Sequence, residues 1–370
     1  MNTSSNKNSV EVIRKFLEEL PRQHGDAAGN EGSEGSNGGG NYSAIYPIDN
    51  AGQLLCAMVD AGLDQLSLPG SGQTLQRWRA LAAVAEHDLS LAKLYEAHTD
   101  ALAILAEAGA NIAQPLNVWG VWCVEPSQAR LDIHAAAEGA NRVVVNGLKC
   151  WCSGAHAITH ALVSGWNSAG QPCLAAVDLD QAGVTVTNDG WHAIGMAEAA
   201  SVDVHFENAR GIAIGGPDFY TNRPGFWQGG AGIAACWHGA AAQLASYLRA
   251  RLISKNDPHA FAHLGRADVA LSASAWGLRA AAQQIDAAPT ADAYRLSMRV
   301  RLSTEQAAVE VMQALGRALG AAPFCRDPWV SRMMADLPVF LRQSHAERDL
   351  AALAQSTLRQ EEGGEEEWRL

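Results

Sequence analysis

The sequence predicts an α+β protein in which an N-terminal helical domain, a middle antiparallel β-domain and a C-terminal helical bundle follow one another. Three observations carry this reading. Residues 49–107 place apolar side chains at helical spacing, residues 119–206 consist of Val-rich or alternating runs separated by Gly and Asn, and from about Gly229 the chain turns Ala-rich and helical again. The boundaries that follow are 1–48 for an N-terminal helix and a Gly/Ser-rich loop, 49–115 for the helical domain and 116–215 for a barrel-like β-domain. Residues 216–356 form the bundle and 357–370 an acidic tail.

Residues 10–20 form a short amphipathic segment, and residues 25–41 are rich in Gly, Ser and Asn with acids between them. Such a stretch buries too little surface to order alone, so a mobile loop is expected there, not a phosphate cradle. Leu54, Leu55, Met58, Val59 and Leu63, then residues 75–85, then 89–105, predict three helices, which Gln114-Pro115 brings to an end. Strands are predicted at 131–135, 142–145, 161–164, 174–178 and 202–206. Long helices follow at 231–255, 263–286 and 291–319, with Pro258 and Pro289 as breaks, and their few charges suit a packed bundle. Ser344-His345-Ala346-Glu347 fits a capping box with Ser344 as N-cap. Residues 339–343 would then be a connection after Pro338; equally, one helix starts near Asp336 with Pro338 in its first turn. Residues 360–370 have no apolar period and are expected to be disordered.

With 370 residues and a net charge of -12, the chain lacks the basic footprint that nucleic acid requires. It offers anions no general attraction, so a phosphate needs a local site. The seven cysteines at 56, 123, 150, 152, 173, 236 and 325 are odd in number and form no metal-like set, which predicts reduced thiols in a cytoplasmic protein and no metal centre. The polar start of the chain and the lack of an apolar run of about 18 residues predict neither a signal peptide nor a membrane span.

The chemistry is concentrated in Asn146-Gly147-Leu148-Lys149-Cys150-Trp151-Cys152-Ser153. Asn-Gly after Val143, Val144 and Val145 predicts a two-residue β-hairpin turn. Alternation along the returning strand then puts Lys149, Trp151 and Ser153 on one face and Cys150 and Cys152 on the other. That face offers an indole for stacking and an alcohol for hydrogen bonding, although an ordinary edge strand with a packed Trp reads the same way.

An ordered series of segments resembles the acyl-CoA dehydrogenase superfamily of flavoproteins. Ala85-Glu86-His87-Asp88-Leu89-Ser90 is similar to a segment of its helical domain. Gly120-Val121-Trp122-Cys123-Val124-Glu125-Pro126 is similar to the strand ending in Thr-Glu-Pro, and Asn146 to Ser153 resembles the Asn-Gly-x-Lys-x-Trp-Ile-Thr hairpin. Gly195-Met196 and Val202 to Asn208 follow the pattern that closes the β-domain. The resemblance implies FAD between the β-domain and the bundle, with Trp151 against the flavin ring and Ser153 at its N5 edge. Val124 stands at the Thr, where Cys123 and Val124 retain backbone groups. The Gly-Ser-Asp that helps hold phosphate is missing from Ser127-Gln128-Ala129-Arg130. Arg251 would replace an Arg that reaches the dinucleotide across a subunit contact, and Gly316 and Gly320 keep part of a Gly-rich turn. The family's catalytic Glu has no counterpart: counting from Asp336 places Ser344-His345-Ala346 there, and the second known location, near Arg223, also lacks Glu.

His345 is the candidate replacement base, although a solvated first-turn histidine with no role fits the same position. As the first residue of a helix capped by Ser344 its imidazole would stay neutral near pH 7, with Glu347 the other candidate. His238, on the helix after a Gly-rich entry, is the next best histidine for a pocket. Three readings follow: a flavin-dependent dehydrogenase acting on the CH-CH group of an acyl thioester or related small molecule, a reduced-flavin-dependent monooxygenase on the same fold, or a scaffold that has lost its base. The resemblance also implies a homodimer or homotetramer.

Overall fold

The computed structural model describes residues 10–19, 50–124, 129–137, 139 and 141–358. The segments 25–41 and 360–370, expected to lack order, lie outside the described residues. Helix α1 (Val10–Glu19) buries Ile13 and Leu17, four residues apart on its apolar stripe. α2 (Asn50–Asp60), α3 (Thr74–His87) and α4 (Leu89–Glu107) occupy the three stretches of helical spacing. Asp88 separates α3 from α4. Its extended backbone ends one helix, and its carboxylate accepts the Leu91 N–H at 2.7 Å to begin the next. On buried α4, His98 accepts the Trp119 N–H on Nδ1 (3.0 Å), so Nε2 carries the proton toward Asp64 (3.2 Å). This histidine fastens the helices to the β-domain.

Among the described residues, seven strands follow: β1 (Trp119–Trp122), β2 (Leu131–Ala135), β3 (Arg142–Cys152), β4 (His160–Trp166), β5 (Pro172–Asp178), β6 (Val184–Val186) and β7 (Val202–Ala213). They pair in the order β4-β2-β3-β7-β5, and β5 pairs back with β4, closing a small barrel to which β1 and β6 are appended. Closure removes the free edges that an open sheet would expose. The sheet is mixed, not purely antiparallel as expected. β1 runs parallel to β4 from Trp119↔His160 to Trp122↔Val163, and β2 meets β4 in parallel at Asp132↔Trp166. Alternation along a strand shows its faces but not the direction of its partner.

The C-terminal region contains α5 (Phe219–Asn222), α6 (Gly225–Leu252), α7 (Pro258–Ala287), α8 (Tyr294–Leu319), α9 (Ala322–Arg326), α10 (Pro328–Phe340), a 3-10 turn (Leu341–Gln343) and α11 (Glu347–Leu358). Asp257 caps α7, whose first residue is Pro258, where a missing N–H costs nothing. Neither expectation for residues 336–343 holds. α10 begins at Pro328, capped by Asp327, and runs through Asp336 to Phe340, so Pro338 lies in its last turn and residues 341–343 are 3-10. Charged bonds join the N-terminal helices to the bundle: Asp286 accepts from Thr74 Oγ1 (2.6 Å) and Thr74 N (3.0 Å), while buried Arg223 binds Glu107 (2.9 Å) and Asp100 (3.4 Å). No described helix is long and apolar enough to cross a membrane, and no disulfide joins the described cysteines.

Candidate functional site

The segment 146–153 does not make a hairpin turn. β3 runs straight through Asn146-Gly147, pairing with β2 on one side and β7 on the other, and the register slips between Val145 and Gly147. Asn-Gly is here a β-bulge. Asn146 Oδ1 accepts the Asn208 N–H at 2.7 Å, and Gly147 adopts φ +123° with space for a hydrogen only, since a Cβ would lie 2.2 Å from the Arg130 carbonyl oxygen. A second slip between Lys149 and Cys152 breaks the expected alternation. Lys149 is 1% exposed, its Nζ donating to the Ser164 carbonyl (3.0 Å) and Oγ (2.9 Å), and Cys152 is buried. Trp151 between them takes a left-handed backbone (φ +57°) that turns its indole out of the barrel, leaving it 47% exposed.

Ser153, two residues on, is fixed from several sides. Its Oγ lies 2.8 Å from Ser201 Oγ, its carbonyl accepts the Trp122 indole N–H (3.1 Å), and the next amide, of Gly154, donates to Ala199 O (2.7 Å). The end of β1, with Cys123 and the exposed Val124 after it, thus meets the end of β3 and the turn leading into β7. Glu125 and Pro126 lie outside the described residues. That turn has left-handed Met196 and Ala200 on either side of a short 3-10 segment (Ala197–Ala199). It is pressed against α10: a Cβ on Gly195 would lie 2.1 Å from Ala335 O. The Met196 N–H donates to Asp336 (2.5 Å). Arg332, one turn before Asp336, pairs with Asp88 (2.6 Å), Glu198 (2.6 Å) and Asp336 itself (3.4 Å). Burial raises the Asp336 carboxyl to about 6 against the pull of the Met196 amide and Arg332, and burial likewise raises Glu198.

His345 and Ser344 sit differently from expectation. α11 starts at Glu347, so Ala346 with φ +47° is its cap, and neither residue is helical. Glu347 does not reach back. Asp349 does, accepting the His345 N–H at 2.9 Å and lying 3.4 Å from its Nδ1. The capping box is therefore replaced by an Asp two residues later, and the first-turn argument for a neutral ring does not apply. Asp349 therefore stands on the Nδ1 side of the ring. Buried Ser344 accepts the Ala346 N–H (3.2 Å), and the preceding turn is held by Arg301, which donates to Gly230 O (2.6 Å) and Gln343 O (2.9 Å), and by the Arg342–Glu305 pair. Among the described residues, no hydrogen bond links Ser344 or His345 to Trp151 or Ser153.

Arg251, Gly316 and Gly320 form a separate group at the far end of the bundle. Arg251 pairs with Asp327 (3.6 Å) over the Tyr247 ring, Gly316 faces Phe324, and Gly320 ends α8. From Asp327 to Asp336 along α10 is about 13 Å at 1.5 Å per residue, so within one chain this group and the Trp151 group are distinct. His238 joins Ser274 (3.1 Å) and Thr304 (2.9 Å beyond) in a polar chain inside the bundle, and burial lowers its pKa. A cleft of about 290 Å³ at the opposite end of the barrel is lined by Trp119, His160 and Arg210 among others, and by none of the predicted residues. Sequence reasoning missed Ser201, Glu198 and Trp122. Only Arg332 and Asp336, an i, i+4 pair, left a readable trace.

No protein-family model matches the chain, and no curated protein matches it by sequence. Solved structures do. Dibenzothiophene monooxygenase TdsC from Paenibacillus sp. A11-2, solved with FMN and indole, superposes with a TM-score of 0.71 at 17% identity, covering 84% of this chain and 96% of that one. KijD3, in complex with FMN and a dTDP-linked amino-keto sugar, gives 0.71 at 19% identity over 84% and 88%. Methanesulfinate monooxygenase MsuC from Pseudomonas fluorescens gives 0.69 at 19% identity over 85% and 97%. The chain has the acyl-CoA dehydrogenase-like fold that these flavin enzymes share.

Proposed function

We propose that the chain is a flavin-dependent oxidoreductase that binds its cofactor at the seam between the barrel and α10, against Trp151 and beside the Ser153 hydroxyl. The observation that carries this is Trp151 itself. A tryptophan turned outward by a left-handed residue at a bulge fills no core, and its neighbour Ser153 is a hydroxyl held in one place by Ser201. Both features fit a flat aromatic ring with polar edges. Cys123 and Val124 at the end of β1 would supply backbone groups to the same ring. A bound flavin supplies two-electron transfer and, when reduced, oxygen chemistry, while the protein supplies position and polarity.

FAD was the expectation, and FMN is the better proposal. The phosphate-holding Gly-Ser-Asp is missing from the sequence, and Arg251 is engaged by Asp327 at the start of α10, while Asp336 near its other end holds the turn beside Ser153. Neighbouring structures carry FMN. Monooxygenation of a small molecule is preferred to acyl-thioester dehydrogenation because the Ser344-His345-Ala346 element offers an imidazole held by Asp349 in place of a carboxylate. Dehydrogenation with His345 as base is the second reading. Assembly into a homodimer or homotetramer belongs to the same proposal.

Titration of the purified protein with FMN and with FAD, followed by absorption and flavin fluorescence, tests the reading. Saturable binding with preference for FMN is expected, and Trp151→Ala should weaken it by about 0.5 to 1.5 kcal/mol, the worth of an aromatic contact beyond its area. A protein that takes up neither flavin is not an enzyme of this kind. Oxygen consumption with reduced FMN and indole as a probe, against anaerobic bleaching of the flavin by acyl-CoA, then separates the two reactions.

A further inference from the structure

The seam between barrel and bundle is built on an uneven charge count. Arg332 on α10 is one guanidinium, and around it stand three carboxylates from three elements: Asp88 at the α3–α4 junction, Glu198 on the 3-10 turn before β7, and Asp336 one turn along α10. These four are the charged groups that act on one another here. All are largely shielded, Asp336 to 4% side-chain exposure. Fully ionised, the cluster carries two unbalanced negative charges away from water, which costs free energy unless a proton is taken up.

What the cluster holds is the turn 195–201. Glu198 is on it, the Met196 amide hydrogen-bonds Asp336, Gly195 touches the α10 backbone, and both ends of its 3-10 segment are in the left-handed region, an arrangement that persists only when its surroundings enforce it. The same turn carries Ala199 and Ser201, which fix Gly154 and the Ser153 hydroxyl.

We propose that Arg332, Asp88, Glu198 and Asp336 form a proton-operated latch that presses the 195–201 turn onto α10 and thereby positions Ser153. The latch is tightest when the cluster holds an extra proton, because a neutral Asp336 keeps an oxygen for the Met196 amide while removing one of the two surplus charges. Opening the turn hydrates the carboxylates and returns Asp336 to ordinary acidity. The closed form binds the proton more strongly, so closure is favoured at low pH and loses stability as the pH climbs from the ordinary carboxylate value through about 6. This inference concerns the protein alone and stands whether or not a flavin binds.

Hydrogen exchange of the full chain without cofactor, read on peptides covering residues 195–201 and corrected for the intrinsic pH dependence of exchange, tests it. Protection of this segment should fall by about tenfold between pH 5 and pH 7.5, the change expected when the closed form releases one proton across that window. Asp336→Asn, which keeps an acceptor for Met196, and Glu198→Gln should each flatten the dependence, and the double variant should abolish it. Protection equal at both pH values in the wild-type chain, or a dependence that survives in the double variant, would overturn the proposal.

Discussion

His345 is defined by what it touches. Asp349 takes its backbone N–H and stands beside Nδ1, so one carboxylate anchors both the main chain and the ring, leaving Nε2 directed away. If this histidine moves a proton during turnover, His345→Ala should reduce turnover by about a hundredfold or more while FMN affinity stays unchanged. Asp349→Asn keeps the size and removes the charge, and should fall between wild type and His345→Ala. Full activity in His345→Ala, measured under conditions where wild type is saturated with flavin, would remove the imidazole from the reaction. Ser344 has a different fate. As it does not cap α11, Ser344→Ala should cost less stability than Asp349→Ala, for which about 1 kcal/mol is expected from loss of an N-terminal helix bond. Urea midpoints of the two variants rank them directly.

At the scale of elements, helices were legible and the chemistry-bearing strand was not. Helical spacing located α2, α3 and α4 because burial there repeats with one period over many turns. The strands of the barrel were found where Val-rich runs lie, but β3 continued past the point where Asn-Gly suggested a turn. Asn-Gly supplies a residue that tolerates positive φ, and a bulge needs that as much as a hairpin does. Only the long-range pairing with β7 decides between them, and local sequence carries no record of it. The same holds for Trp151. Its face was assigned by strict alternation, and a second bulge overrode the alternation while still leaving the indole exposed. Ser201 and Glu198 were invisible because their partners are far apart in the chain. Gly147→Ala tests the bulge. A methyl group there collides with the Arg130 carbonyl in a backbone conformation that disfavours side chains, so a loss of about 2 to 3 kcal/mol in denaturant unfolding is expected. A neutral result would mean that the segment turns as Asn-Gly usually does.

On the scale of the whole molecule, the helical regions and the barrel share one interior, since Asp286 caps α3 from the end of α7 and Arg223 ties the start of α6 to α4. Among the described residues, the outer face of α7 has no such neighbour. Val269 is 71% exposed and Trp276 68%, and the two lie seven residues apart, hence on one side of the helix, with Ala273 between them and Ala280 one turn beyond. Large apolar groups beside small ones on a long straight helix suit packing against the same face of a second copy, where the alanines allow the backbones to approach and the tryptophan fills the space alongside. This face is where the proposed homodimer or homotetramer should form. Light scattering coupled to size exclusion should give a multiple of the 39.2 kDa chain mass. Combining Val269→Glu with Trp276→Glu should lower that multiple at least twofold, with helix content by circular dichroism unchanged because both positions are exposed in the single chain. A wild-type protein that elutes at the mass of one chain would rule out the assembly, and a double variant of unchanged mass would move the contact to another surface.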